Sequence, residues 1–136
     1  MPAFVDTNVW DYALTMGDDV VRGSANAVLD ALTQPVVNGK VLRDLGRILL
    51  QKARCDEDMV GQVASDMFQS CQVISDTEEV FLLAGRLRQN HSFSYRDSLI
   101  VAAALDAGCD TLYSEDMQHG QLVVGRLRLV NPFVGV

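Results

Sequence analysis

Lysine is nearly missing from this chain. Two lysines accompany nine arginines, and 18 acidic side chains outnumber the 11 basic ones, for a net charge of −7 over 136 residues. A basic surface that coats nucleic acid through bulk positive charge is thereby excluded, although a nuclease that brings its own metal ions is not. Cysteine is scarce as well. Cys55, Cys71 and Cys109 are odd in number and far apart, and form no CxxC pair. They offer no disulfide framework, which points to a reducing compartment, and they read as small core residues. His91 and His119 have no metal-ligand spacing with each other or with any cysteine, so a zinc site is not expected and both read as surface residues. No apolar run approaches the ~20 residues of a membrane span. The opening Met1-Pro2-Ala3-Phe4-Val5-Asp6 has neither a basic start nor a long apolar stretch, so no signal peptide is visible and a cytoplasmic location is expected. Internal repeats, low-complexity segments and linkers are missing too. With 49% apolar residues, the chain is no disordered tail; it reads as one domain over residues 1–136, large enough to bury a real core.

What the chain does have is aspartate, 14 residues against four glutamates. Short carboxylates suit caps, turns and hard-metal sites, and the arginine excess suits phosphate, which the planar guanidinium grips with two parallel hydrogen bonds. Strands are expected at Ala3–Val5, Pro35–Asn38, Cys71–Ile74, Thr111–Ser114 and Leu127–Val130, the last closed by Pro132. Helices are expected at Val9–Leu14, Val20–Leu32, Val41–Ala53, from Asp56 to about Ser70, from the cap Thr77 to about Gln89, and from the cap Ser94 to Ala107, stopped by Gly108. Strands alternating with helices imply βαβ units: an α/β fold with a parallel β-sheet of about five strands and helices on both faces.

Asp6 follows an apolar strand directly, and Asp116 lies two residues past another. Open parallel sheets bind ligands beyond the carboxyl ends of their strands, so both acids reach one rim if these strands are neighbours. Asp97 begins the segment Asp97-Ser98-Leu99-Ile100-Val101-Ala102-Ala103-Ala104-Leu105, apolar nearly all round, and shares a face with Ile100, Val101 and Ala104. A carboxylate there is costly unless paired or metal-bound; the alternative is a capping box over Ser94 to Asp97. Asp44 sits at the border of an apolar stripe, with Arg47 one turn on, so a surface ion pair is its plain reading. Clustered carboxylates repel unless a cation compensates. Mg²⁺ or Mn²⁺ does so with a few carboxylates and several waters, and can activate water for in-line attack on phosphorus.

Four stretches together, Phe4-Val5-Asp6-Thr7-Asn8-Val9, Val41-Leu42-Arg43-Asp44-Leu45, Asp97 to Ala104 and Leu112-Tyr113-Ser114-Glu115-Asp116, resemble the PIN-domain family along the whole chain. At this size the chain resembles the VapC-type ribonuclease toxins of toxin-antitoxin systems. The resemblance implies a three-layer sandwich and Mg²⁺- or Mn²⁺-dependent endonucleolytic cleavage of RNA. It also implies a small antitoxin as partner and a homodimer. It assigns Asp6, Asp97 and Asp116 as the first, third and fourth acids of the site, and Asn8 and Ser114 as small polar residues that orient them. The second acid is commonly Glu; Asp44 stands there, one methylene shorter, which suits a water-mediated contact. Glu115 is an extra acid expected to face solvent, with partial substitution for Asp44 as the alternative.

Arg43, Arg47 and Arg96 lie beside these acids, to hold RNA phosphates or an antitoxin's acidic groups, or else only to pair on the helix surface. Trp10 and Tyr12 suit packing more than base stacking. Val63, Met67, Val80, Leu83 and Leu87 recur at helical spacing as core or dimer surface. Two other readings stay open: a non-catalytic PIN-like binding module, favoured by the Asp44 departure, and another Mg²⁺-dependent phosphohydrolase using Asp6. An aspartyl phosphatase of the DxD kind wants a second acid at position 8, where Asn8 stands.

Overall fold

The computed structural model of the chain describes residues 2–15 and 17–136. In chain order its elements are β1 (Ala3–Val5), α1 (Thr7–Thr15), α2 (Asp19–Asp30), β2 (Val36–Asn38), α3 (Gly39–Gln51) and α4 (Glu57–Ser70). They continue with β3 (Gln72–Ile74), α5 (Glu78–Asn90), α6 (Tyr95–Asp106), β4 (Thr111–Tyr113), β5 (Leu122–Val123) and β6 (Leu127–Val130). Side-chain caps set the helix starts. Asp18 accepts from Val20 N at 2.9 Å, Asn38 from Val41 N at 3.2 Å, Asp56 from Met59 N at 2.8 Å, Thr77 from Val80 N at 3.4 Å and Ser94 from Asp97 N at 3.1 Å. Each satisfies a backbone N–H that the first turn leaves without a partner. Asn38 ends β2 and caps α3 at once, so α3 starts before Val41. In the same way α1 starts at Thr7, directly after β1, and not at Val9.

Among the described residues the sheet has six strands in the order β3-β2-β1-β4-β6-β5. The first five run parallel, and β5 pairs antiparallel with β6. The sheet is one strand larger than expected. Leu122 and Val123 join Leu127 through a turn in which Val124 and Gly125 both take positive φ, 54° and 68°, and Arg126 N donates to Val123 O at 3.1 Å. A β-branched residue is rare in that conformation, so Val124 gives no hairpin signal in the sequence.

Successive residues of the central strands serve different cores, as the pleat requires. Phe4 of β1 and Leu112 of β4 belong to the larger cluster, with Val41, Leu45 and Leu49 of α3, Val80, Ala84 and Leu87 of α5, and Ile100, Val101 and Ala104 of α6. Val5 and Tyr113, one residue on, pack in a second cluster with Val9 of α1 and Ala25 of α2. Cys71 and Cys109 are buried small residues, and Cys55 is half-buried. Met67, Val80 and Leu87 are core, with Val63 and Leu83 packed at its edge. Among the described residues no helix is long and apolar enough to cross a membrane.

The strand order places the site. The chain leaves β1 toward β2 and β3 on one side, then returns with β4 on the other. A crevice opens outside the carboxyl ends where the winding reverses, and here that point lies between β1 and β4.

Candidate active site

Asp6 and Asp116 emerge at that crevice, because β1 and β4 are hydrogen-bonded neighbours with Val5 opposite Tyr113. Asp6 N donates to Tyr113 O at 3.0 Å, and Ser114 N to Val130 O at 3.0 Å. The Asp6 side chain is fully buried. Its carboxylate accepts from Thr7 N at 2.8 Å and from Ser114 Oγ at 2.8 Å. Ser114 Oγ in turn accepts from Asp116 N at 3.2 Å and from Asn8 Nδ2 at 3.4 Å, and Asn8 Nδ2 also donates to Asp116 Oδ2 at 3.3 Å. Arg96 Nη1 lies 3.5 Å from Asp116 Oδ2. Asn8 and Ser114 therefore join the two acids into one network, and the arginine beside Asp97 pairs with Asp116.

Burial raises the pKa of Asp6 above the ordinary aspartate value, because the ionised form loses its hydration. The Ser114 and Thr7 hydrogen bonds and the Arg96 charge act the other way, and the Asp116 charge adds to the rise. A carboxylate placed at such a cost, with the hydroxyl of Thr7 beside it buried and unpartnered among the described residues, has the character of a functional group.

Asp97 lines the open cleft of about 420 Å³ that Asp116 also lines. It is half-buried, whereas its apolar surroundings in sequence suggested deep burial. The first turn of α6 reaches the rim, where Tyr95 is 61% exposed, and only from Ser98 onward does the helix enter the core. The capping box is half made: Asp97 N donates to Ser94 Oγ, but among the described residues its carboxylate makes no return bond and no ion pair.

Asp44 is held by its own helix. Lys40 Nζ donates to Asp44 Oδ2, and Arg47 Nη2 lies 3.5 Å from Asp44 Oδ1. The ion pair that the sequence suggests is present, with Lys40 as a further partner. Glu115 departs from its expected solvent-facing position. It is half-buried, its carboxylate accepts from the Tyr12 hydroxyl, its N–H donates to Asn8 Oδ1 at 3.3 Å, and its carbonyl accepts from Asn131 Nδ2 at 3.4 Å. Burial and the Glu115 carboxylate raise the Tyr12 pKa, so the phenol stays neutral and keeps donating. Tyr12 also packs edge-on against Phe133 at 5.1 Å, and Trp10 Nε1 donates to Val5 O at 3.2 Å. Both aromatics thus serve the scaffold. His119 is tied into the loop by accepting from Asn131 N at 3.0 Å, whereas His91 lines the cleft, a position that its lone place in the sequence did not signal.

Among the described residues no three His, Cys, Asp or Glu side chains lie close enough to hold a metal ion by themselves. The donors at the crevice, Asp6, Asp97 and Asp116, are nevertheless all hard carboxylate oxygens. They fit Mg²⁺ or Mn²⁺, which are commonly held by one or two carboxylates with waters and substrate phosphate completing the shell.

Comparison with known proteins agrees with this architecture. A toxin-antitoxin complex from Klebsiella pneumoniae superposes with a TM-score of 0.73 at 17% identity, over 96% of this chain and 98% of the other. VapC20 of Mycobacterium tuberculosis, a toxin that cleaves the sarcin-ricin loop, gives 0.63 at 20% identity, over 81% and 86%. VapBC2 from Rickettsia felis, bound to a DNA fragment from its promoter, gives 0.64 at 17% identity, over 96% and 100%. No curated protein matches the sequence. The PIN domain family model matches residues 3–122, and the chain belongs to the PIN-domain family.

Proposed function

We propose that the protein is a Mg²⁺- or Mn²⁺-dependent endoribonuclease, the toxin of a toxin-antitoxin pair, that hydrolyses RNA phosphodiester bonds at Asp6, Asp97, Asp116 and Asp44. The observation that carries the reading is the buried Asp6 carboxylate, joined through Ser114 and Asn8 to Asp116 at the carboxyl ends of β1 and β4. Asp6, Asp97 and Asp116 would hold the ion, which would offset their charge and supply activation of a water for attack on phosphorus. The chain's own contribution is placement. Asp6 is oriented by Thr7 N–H and Ser114 Oγ, Asp116 by Asn8, and Asp97 presents to the cleft a carboxylate that is unpaired among the described residues. The toxin-antitoxin complexes among its structural neighbours support a small antitoxin protein as partner, and the family resemblance adds a homodimer and a cytoplasmic location to the proposal.

Incubating the protein with generic RNA in Mg²⁺, in Mn²⁺ and in chelator tests the reading. Cleavage at internal bonds with either ion, stopped by the chelator, is expected. Intact RNA with both ions would favour the non-catalytic binding module, and release of phosphate from small monoesters without RNA cleavage would favour the phosphohydrolase.

Either ion should also raise the melting temperature by several degrees at concentrations well above its dissociation constant, because it binds only the folded acids. Thermal melts with and without millimolar metal check this, and no shift under conditions that support cleavage would contradict it.

Asp44 enters the proposed site on its family position, acting through water. Its contacts with Lys40 and Arg47 offer the competing account, an ion pair worth ~0–1 kcal/mol with no bearing on chemistry. The site assignment predicts that Asp44→Glu keeps activity and that Asp44→Ala loses about tenfold or more, the scale of a lost outer partner of a metal site. Turnover and Mn²⁺ affinity of both variants decide, with melting temperature as control. Wild-type turnover of Asp44→Ala at limiting Mn²⁺ removes Asp44 from the site.

A further inference from the structure

The cleft that begins at Asp97 and Asp116 extends away from the acids along a wall of different chemistry. Asn90 and His91, at the end of α5, face it together with Phe93, Gln118 and Gln121. None of these five carries a fixed charge. Phosphate has nothing cationic to bind there, whereas a neutral, planar group with donors and acceptors on its edge does. The amides are available. Among the described residues the Gln118 and Gln121 side chains make no hydrogen bond, although Gln121 is half-buried, and Asn90 commits only its Nδ2, to Arg86 O at 3.2 Å. The His91 ring is also uncommitted in hydrogen bonding and is braced by Phe93, with ring centroids 5.4 Å apart and planes 35° apart. A volume of about 420 Å³ falls within the ~300–1,000 Å³ of small-molecule sites.

We propose that this wall is a nucleobase subsite that selects the unpaired nucleotide beside the scissile bond, the base stacking on His91 while Gln118 and Gln121 read its edge. The inference rests on the ribonuclease reading and extends it from RNA in general to single-stranded RNA with a preferred base. Aromatic faces accept any base, whereas carboxamides form paired hydrogen bonds that distinguish one base edge from another. Stacking therefore supplies affinity and the amides supply choice.

The test uses the full chain carrying Asp6→Asn, expected to leave RNA intact, and fluorescently labelled heptamers of adenylate, cytidylate and uridylate, with binding read by anisotropy in Mg²⁺. One homopolymer should bind about tenfold tighter than the other two. Adding Gln118→Ala and Gln121→Ala together should bring the three affinities together. His91→Ala should weaken all three by about tenfold, the scale of one lost base–aromatic stack. His91→Phe should restore them, and neither His91 variant should change the melting temperature, which a merely structural role for the ring would not allow. Equal binding of the three homopolymers, no binding of any, or a preference untouched by these substitutions overturns the subsite. Wild-type protein is assayed for cleavage of the same RNAs in parallel. Base-selective binding lost in the variants, without cleavage by the wild type, overturns the ribonuclease reading and leaves the subsite standing.

Discussion

Asp6→Asn is expected to lower RNA cleavage by about 10³-fold or more, the scale on which single members of a catalytic set act, and at the same time to remove the loss of stability that this group causes in wild type between acid and neutral pH. In the proposed site Asp6 carries a buried charge at a cost to the fold. Its carboxylate is fully buried and burial raises its pKa above the ordinary value of 3.8. The folded state therefore binds a proton more readily than the unfolded chain, so ionised Asp6 subtracts stability at any pH above its folded pKa. That loss shrinks as pH falls through the folded pKa, and it vanishes below 3.8, where the group is protonated in both states. Asparagine carries no charge and keeps the shape and an oxygen for Thr7 N–H, but its amide nitrogen cannot accept from Ser114 Oγ, a fixed cost at every pH. The stability of the variant relative to wild type should thus be highest near neutral pH and fall toward pH 3.8. Melting curves across that range, beside cleavage assays at neutral pH, measure both halves. A variant that cleaves at the wild-type rate contradicts the catalytic assignment, and a stability difference that stays constant between pH 7 and pH 3.8 contradicts the account of the buried charge.

Leu112→Ala is expected to destabilise the fold by about 2–5 kcal/mol, the usual cost of deleting a fully buried leucine and leaving part of its cavity. Leu112 is 1% exposed and lies in the middle of β4, opposite Phe4 on one side and Leu129 on the other. Three strands of the larger core meet at this side chain, so little can move in to fill the gap. A fall in melting temperature on the order of 10 °C corresponds to that loss. The comparison is Leu122→Ala in β5, where the side chain is 46% exposed and the change should stay within about 0.5 kcal/mol. Chemical denaturation of both variants settles it, and equal stability would contradict the placement of the core. Because β4 leads directly into Ser114 and Asp116, a loosened Leu112 should also disturb cleavage at temperatures where the variant is still folded.

The legible parts of this chain are those where one local signal decides one local structure. Short apolar runs followed by Asp6 and by Ser114-Glu115-Asp116 mark two strand ends, and parallel neighbours carry both to one rim. Thr77 and Ser94 mark helix starts because a hydroxyl at that position satisfies a first-turn N–H. Where sequence reading failed, partners distant in the chain decide. Glu115 looks like a solvent-facing acid, but Tyr12 and Asn8 draw it inward from more than a hundred residues away. The β5–β6 hairpin turns on Val124 at positive φ, which no propensity favours. Asp97 shows the remaining limit. The helix that follows it, Leu99 to Leu105, is apolar on all sides, yet the start of α6 stands at the rim, and only the packed sheet tells where a helix enters the core. His91 gained its place in the same way, from the cleft that α5, α6 and the segment after β4 form together.

The most direct test of the acidic site is single-turnover cleavage of an end-labelled RNA stem-loop in Mn²⁺ by wild type and Asp97→Asn side by side. Asp97 makes no hydrogen bond or ion pair through its carboxylate among the described residues, so the substitution removes from the fold only the favourable placement of a first-turn acid at the N-terminus of α6, about 0.3–1 kcal/mol. Wild type should cleave rapidly at internal bonds and the variant about 10³-fold or more slower, with a melting temperature in the absence of metal lowered by no more than a few degrees. Cleavage by Asp97→Asn at the wild-type rate would contradict this site.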